Sequence, residues 1–278
     1  MEYNFNDICA YNNSMAQVLE DKLFFLKHLS FNPQTKYLIV DFGCADGTII
    51  DALYKVFSDK KINATFIGYD KCETMIELAK NKFNHSTNNV YFTSNWNFVD
   101  ELLDNSDYSE SILILSSVIH EVYSYAESEK DIELFWKRIL NSNFKYICVR
   151  DMMCSIDAVR KSKYTDVHKI KDVIKFKDLQ NNLTEFERLW GSISNNLQLI
   201  HFLLKYRWTI NWNREVHENY FPIYISDFLN KMQEYNLIYL KRFRVQYLDD
   251  CIKKDWNIEL EDYTHVKIIF EKQKQYDS

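Results

Sequence analysis

From Tyr37 to Val149 the chain alternates short apolar runs with amphipathic stretches, and this alternation restricts the fold more than anything else in the sequence. The pattern predicts strand 37–42, helix 47–57, strand 63–69, helix 72–83, strand 89–93, helix 97–104, strand 111–116, helix 127–140 and strand 144–149. Successive strands joined by helices run in the same direction, so this βαβα order implies a parallel sheet with helices on both faces. Ligands bind such sheets beyond the carboxyl ends of the strands, which makes the residues after each strand the ones to inspect.

Glycine marks the first two of those ends. The chain has four glycines in 278 residues, and three fall in the segments YLIVDFGCADGTII and FIGYDKCETMIELAK. The first segment runs through Tyr37–Val40 into Asp41, then Gly43, Ala45 and Gly47 at alternate positions, then a helix from Thr48. A strand-turn-helix of this kind needs glycine where the backbone bends sharply and approaches a ligand. The second strand ends in Asp70, 23 residues after Gly47, where an acid closing a βαβ unit accepts hydrogen bonds from ribose hydroxyls. Gly-x-Gly-x-x-Gly, the dinucleotide spacing, is not met, because residue 48 is Thr.

At these residues the chain resembles the class I S-adenosylmethionine (SAM) dependent methyltransferases, whose first motif is an acidic strand end followed by Gly-x-Gly-x-Gly. Asp41-Phe-Gly43-Cys-Ala45-Asp-Gly47 matches it with Ala for the middle glycine. The resemblance covers about residues 37–150 and 226–271. It implies a seven-stranded, mostly parallel α/β sheet of the methyltransferase-like Rossmann type, with SAM as cofactor and a final strand, 264–271, antiparallel to the rest. It places Asp41, Gly43, Cys44, Ala45, Gly47, Asp70 and Lys71 around the donor. It also places Asn95 and Trp96, after the third strand, beside the adenine. Ser116 and Ser117, after the fourth strand, complete that set.

The fourth strand runs on into Val118-Ile119-His120-Glu121-Val122-Tyr123-Ser-Tyr125, which in that family forms the floor between methyl donor and acceptor. His120, Glu121 and Tyr123 are the candidate catalytic residues. His is suited to removing a proton near neutral pH, and a neighbouring carboxylate can orient it. The alternative is a His bonded to nearby backbone beside a solvated Glu. Arg150 and Asp151 follow the fifth strand.

Outside the alternation, residues 14–28 read as an amphipathic helix with Ser14 as N-cap, and Tyr11 and Met15 are possible cofactor contacts. Residues 151–222 form a helical insertion and possible substrate lid, with Leu179, Leu183, Phe186 and Trp190 at helical spacing and a second helix over 197–204. The sheet domain then comprises 1–150 and 223–278, with helix 226–235 and strand 237–247.

A small-molecule acceptor and an RNA or nucleotide acceptor both remain open. Residues 160–177 hold seven Lys or Arg against two Asp, and 201–221 interleave Tyr206, Trp208, Trp212 and Phe221 with Lys205, Arg207 and Arg214. Such features can hold phosphates and stack bases, or be a solvated helix face and core packing. A SAM-binding partner or sensor without catalysis, and SAM chemistry other than methyl transfer, also fit. DNA base-amino methylation and cytosine C5 methylation are disfavoured, because the fourth strand is followed by Ser-Ser-Val-Ile and the only prolines are Pro33 and Pro222. Six cysteines without Cys-x-x-Cys spacing give no metal signature, and the lack of a long apolar run and of a basic, apolar leader leads to the expectation of a cytoplasmic protein.

Overall fold

A computed structural model describes residues 19–85, 87–104 and 107–273. Ser14, Met15 and Tyr11, expected in or near the leading helix, lie outside the described residues. Residues 19–22 are helical and run into a 3-10 turn at Phe24–Lys27.

The strands are β1 (Tyr37–Phe42), β2 (Ala64–Tyr69), β3 (Val90–Thr93), β4 (Glu110–Ser116), β5 (Tyr146–Met152), β6 (Tyr235–Phe243) and β7 (His265–Lys272). They form one seven-stranded sheet in the order β3-β2-β1-β4-β5-β7-β6. β1 pairs in parallel with both β2 and β4, and only the β7 pairings are antiparallel. This is the mostly parallel α/β fold that the resemblance implies, including its antiparallel last strand.

Both faces of the sheet are covered, so every residue of β1 and β2 is buried. Leu38 and Val40 enter one core with Trp136 and Phe228, while Tyr37 and Ile39 point the other way into a second core with Ile50 and Phe57. Helices α1 (Thr48–Asp59) and α2 (Glu73–Lys82) cover the second face, and α3 (Trp96–Leu103), α5 (Glu129–Asn141) and α10 (Ile225–Lys231) the first. Between α3 and α5 lies a short helix, α4 (Ile119–Tyr125).

The strand order reverses between β1, which continues outward to β2, and β4. Crossovers therefore leave a crevice at the carboxyl ends of β1 and β4, and this positions the site.

Residues 155–222 are helical as expected: α6 (Tyr164–Val173), α7 (Gln180–Trp190), α8 (Asn196–Lys205) and α9 (Trp212–Glu215). They build a third core around Phe186, Phe202 and Leu203. One expectation needs correction. The strand predicted over 237–247 ends at Phe243, and residues Gln246–Trp256 form a helix, α11. Cys251, Ile252 and Trp256 are its buried residues, and Ile252 and Trp256, one helical turn apart, seal the insertion's core.

Candidate active site

The bend after β1 is held from β2. The Tyr69 carbonyl accepts from the amides of Gly43 (2.8 Å) and Cys44 (2.9 Å), and Asp70 Oδ2 accepts from the Ala45 amide at 3.0 Å. Gly43, Ala45 and Gly47 all have positive φ, at 77°, 46° and 76°. The Ala that replaces the motif's middle glycine thus sits in the left-handed region, which costs an L-residue about 1–2 kcal/mol.

The glycines are required by protein packing more directly than by a ligand. A Cβ on Gly43 would stand 2.7 Å from Val118 Cγ2, and one on Gly47 2.7 Å from Phe92 Cε1. On Gly68 it would stand 2.5 Å from Phe92 Cδ1. Asp46 lies just before α1, its Oδ1 accepting from the Thr48 amide (3.2 Å) while its Oδ2 accepts from Lys82 Nζ at 2.6 Å.

Two carboxylates differ sharply. Asp41, 1% exposed at the end of β1, has neither oxygen hydrogen-bonded among the described residues. Burial pushes its pKa up to about 7, the charge of Lys22 opposing and that of Asp70 adding. Lys22, just before the 3-10 turn, has its own pKa lowered by burial, and Asp41 is the strongest of the charges that oppose this. Asp70 is bonded at both oxygens, to Ala45 and to the Cys72 amide (2.9 Å). Since a carboxylate has about four acceptor positions, Asp70 keeps two for a ligand.

A cavity of about 660 Å³ opens between these strand ends and α4 and α5. Gly43, Asp70 and Lys71 line one side. Val118, Glu121, Val122 and Tyr125 line another, at the spacing of a single helix face, and Arg214 reaches in from the insertion. On α5 the lining residues Asp131, Leu134, Phe135 and Arg138 repeat that spacing.

His120 lies on another face of α4. Its Nδ1 is 2.6 Å from Asp151 Oδ1, and its ring meets Tyr220 edge-on at 5.8 Å. An ionised carboxylate only accepts, so Nδ1 carries the proton, and Nε2 has no hydrogen-bond partner among the described residues. Asp151 Oδ2 also accepts from the amides of Val118 (3.0 Å) and Ile119 (2.7 Å), capping α4 from the neighbouring strand. Burial opposes both charges of this pair. The mutual attraction outweighs it, raising the pKa of His120 and lowering that of Asp151. Burial raises the pKa of Glu121, with His120 and Arg214 opposing.

The remaining predicted residues are dispersed. The Tyr123 hydroxyl accepts from Trp136 Nε1 at 2.9 Å, in the core. Asn95 caps α3, accepting from the Asn97 amide, and Trp96 is buried against Phe42 and Tyr69. Burial raises the pKa of the Cys44 thiol. The Ser116 hydroxyl is buried without a partner, and Ser117, at φ 57°, accepts from Arg150 Nη1 at 2.9 Å. Arg150 in turn bonds Asp21 at 3.0 Å, tying the leading segment to the site's edge. Sequence reasoning did not single out Lys22, Arg138 or Arg214 for the site. Only the lining face of α5 carried a signal, through its periodicity.

Four of the seven basic residues of the insertion's basic stretch are paired within the chain, while Lys161, Lys171 and Lys175 are exposed without an ion pair among the described residues. Arg160 pairs with Asp262 (2.7 Å), Lys163 with Glu261, and Lys177 with Asp255 (3.2 Å). Tyr206, Trp212 and Phe221 are buried, and Trp208 is half exposed.

No family model matches the chain, and no curated protein matches it. Among solved structures it is similar to a SAM-dependent methyltransferase from Anabaena variabilis, at 10% identity and a TM-score of 0.49, over 98% of this chain and 96% of that one. It is also similar to PKMT2 from Rickettsia typhi (13% identity, TM-score 0.45, 90% of this chain and 51% of that one). A third is TehB from Haemophilus influenzae (10%, 0.44, 91% and 62%). The chain thus spans about half of PKMT2 and under two thirds of TehB. At such identity the likeness is one of chain path and assigns no chemistry to any residue. Among the described residues no helix is long and apolar enough to cross a membrane, and no cluster of His, Cys, Asp or Glu could hold a metal ion.

Proposed function

We propose that the chain is a SAM-dependent methyltransferase acting on a small-molecule acceptor by in-line transfer. The observation that carries this is Asp41. A fully buried carboxylate with no hydrogen bond is costly unless a cation or donor meets it. SAM, when bound, supplies an activated methyl group on a cationic sulfonium together with an ammonium. Asp41 offers that charge a counterion, and Asp70 offers two free acceptor positions to the ribose hydroxyls.

Methyl transfer from such a donor asks mainly for alignment, which can supply roughly 7–11 kcal/mol. Alignment is the work of α4, which the Asp151 cap and the His120 bond fasten to β5. Glu121 is the carboxylate of α4 that lines the cavity, and its raised pKa suits it to take the acceptor's proton. His120 acts through the helix as a positioning residue. The small-molecule acceptor is favoured over RNA because the cavity, of about 660 Å³, suits a compact ligand while four of the seven basic residues of the basic stretch are paired within the chain.

Calorimetric titration with S-adenosylhomocysteine (SAH) tests the donor half, with Asp70→Ala expected to weaken binding at least about tenfold. Incubation with methyl-labelled SAM and a whole-cell extract, which is then separated into small molecules, RNA and protein, tests the other half. Absence of SAH binding ends the reading, and label entering RNA moves the acceptor to that class.

A further inference from the structure

We infer that the acceptor is a small-molecule carboxylate and that Arg214 of the insertion receives it; this rests on the methyltransferase reading above. Arg214 lines the cavity opposite the glycine turn. One edge of its guanidinium is fixed from behind: Nε donates to Glu218 Oε1 at 3.0 Å and to the Tyr125 hydroxyl at 3.2 Å. Glu218 is 4% exposed, and its Oε1 also accepts from the Tyr125 hydroxyl at 2.7 Å. A buried acid thus orients the planar group.

The other edge is open. Its one contact is Nη2 to Glu121 Oε1 at 3.2 Å, a pair whose side chains are 59% and 44% exposed. An exposed single-contact ion pair contributes little. Nη1 has no hydrogen-bond partner among the described residues. An oriented guanidinium with two adjacent nitrogens turned away from its anchor is the geometry that takes a two-oxygen anion side by side.

The surrounding charges choose between anions. Asp70, Glu121, Glu127 and Asp131 line the same cavity against Lys71, Arg138 and Arg214, an excess of one carboxylate, so a dianionic phosphate meets more repulsion than a monoanionic carboxylate. Of the cations that hold down the pKa of Glu121, His120 is the stronger and stays in place; a carboxylate that displaces Glu121 neutralises the other, Arg214, which makes Glu121 a somewhat stronger base once the acceptor is seated.

The test titrates the full chain with SAH and then, saturated with SAH, with benzoate, benzamide and phenyl phosphate as probes. Benzoate is expected to bind at least about tenfold more tightly than benzamide, the margin of a charge-assisted pair over a neutral one, and more tightly than phenyl phosphate. Arg214→Lys, which keeps the charge but not the fork, and Arg214→Met should each weaken benzoate by about tenfold or more. Glu121→Gln, which removes the internal competitor, should tighten it a few-fold. SAH binding in each variant shows that the fold survives, and Glu121→Gln decides the matter if both Arg214 variants fail to fold. Absence of SAH binding in the unaltered chain sinks the methyltransferase reading itself. SAH binding with benzoate no better than benzamide, with phenyl phosphate preferred, or with benzoate indifferent to Arg214→Lys or to Glu121→Gln, overturns the carboxylate assignment alone.

Discussion

Asp41, proposed as the donor's counterion, is held at the expense of stability. Its folded pKa of about 7 lies above the ordinary 3.8, so the folded chain holds a proton that the unfolded chain releases. Between those values stability falls as pH rises, and the penalty is complete above about pH 7. Asp41→Asn should therefore stabilise the ligand-free protein at pH 8, by on the order of 4 kcal/mol, and leave it little changed near pH 3.5. The same substitution should weaken SAH binding and abolish its rise with pH toward neutrality. Thermal melts at both pH values, with calorimetry, check this. A variant destabilised at pH 8 would mean that Asp41 has a partner inside the protein. Glu121 offers a second test at this scale. Glu121→Gln should lower kcat by about 10²–10⁴ if that carboxylate takes the acceptor's proton, and the acidic limb of the pH profile, lying above the usual carboxylate range, should vanish.

Among the elements, the turn after β1 and the strand β2 are linked by one ring. Phe92 of β3 occupies the space that a Cβ on Gly47 or on Gly68 would need. Gly68 has no positive φ, so Gly68→Ala adds only steric overlap, for about 1–3 kcal/mol, whereas Gly47→Ala adds backbone strain of about 1 kcal/mol more. A Phe92→Leu background should recover more of the first loss than of the second in urea denaturation. Equal recovery would remove strain from the account. Packing of this kind explains what could be read beforehand. Strands covered on both faces carry continuous apolar runs, so β1, β2 and β4 announced themselves, and the alternating glycines marked the bend. Helix α4 did not, because its amino end is capped by Asp151 from a strand 33 residues away, and no local residue signals it. Helix α11 was missed for a different reason: Leu237–Tyr247 reads as one β-like run, and the helical spacing begins only after Phe243. In the candidate site, Gly43, Asp70, Lys71 and Glu121 come to one cavity from positions legible in the sequence. Lys22 and Arg214 reach the site through tertiary contacts that leave no mark on their neighbours in the chain.

At the level of the whole molecule, α11 determines whether the protein can behave as two independent parts. It lies between β6 and β7, yet Ile252 and Trp256 are buried in the core of the insertion, where Trp256 meets Phe202 and Tyr206 edge-on at 6.3 and 5.1 Å. The insertion is also tied to the sheet domain by Tyr125 to Glu218 and by the Asn219 amide to Ser124. Unfolding the insertion therefore exposes a helix whose two ends are strands of the sheet. A single cooperative transition should follow, with tryptophan fluorescence and far-ultraviolet circular dichroism coincident in urea. Trp256→Ala removes the ring that joins the two cores, at a cost of about 3–5 kcal/mol. In that variant the fluorescence of Trp190 and Trp212, which sit in the insertion, should change at lower urea than the dichroism of the sheet. SAH should raise the midpoint of the sheet transition in both proteins, because Asp41 and Asp70, the residues proposed to hold the donor, belong to it. In the unaltered chain it should raise the insertion's midpoint equally, since there the two cores unfold together. Two separated transitions in the unaltered chain would show that α11 does not couple the cores, and the wall that Arg214 forms over the cavity would then open without disturbing the donor side.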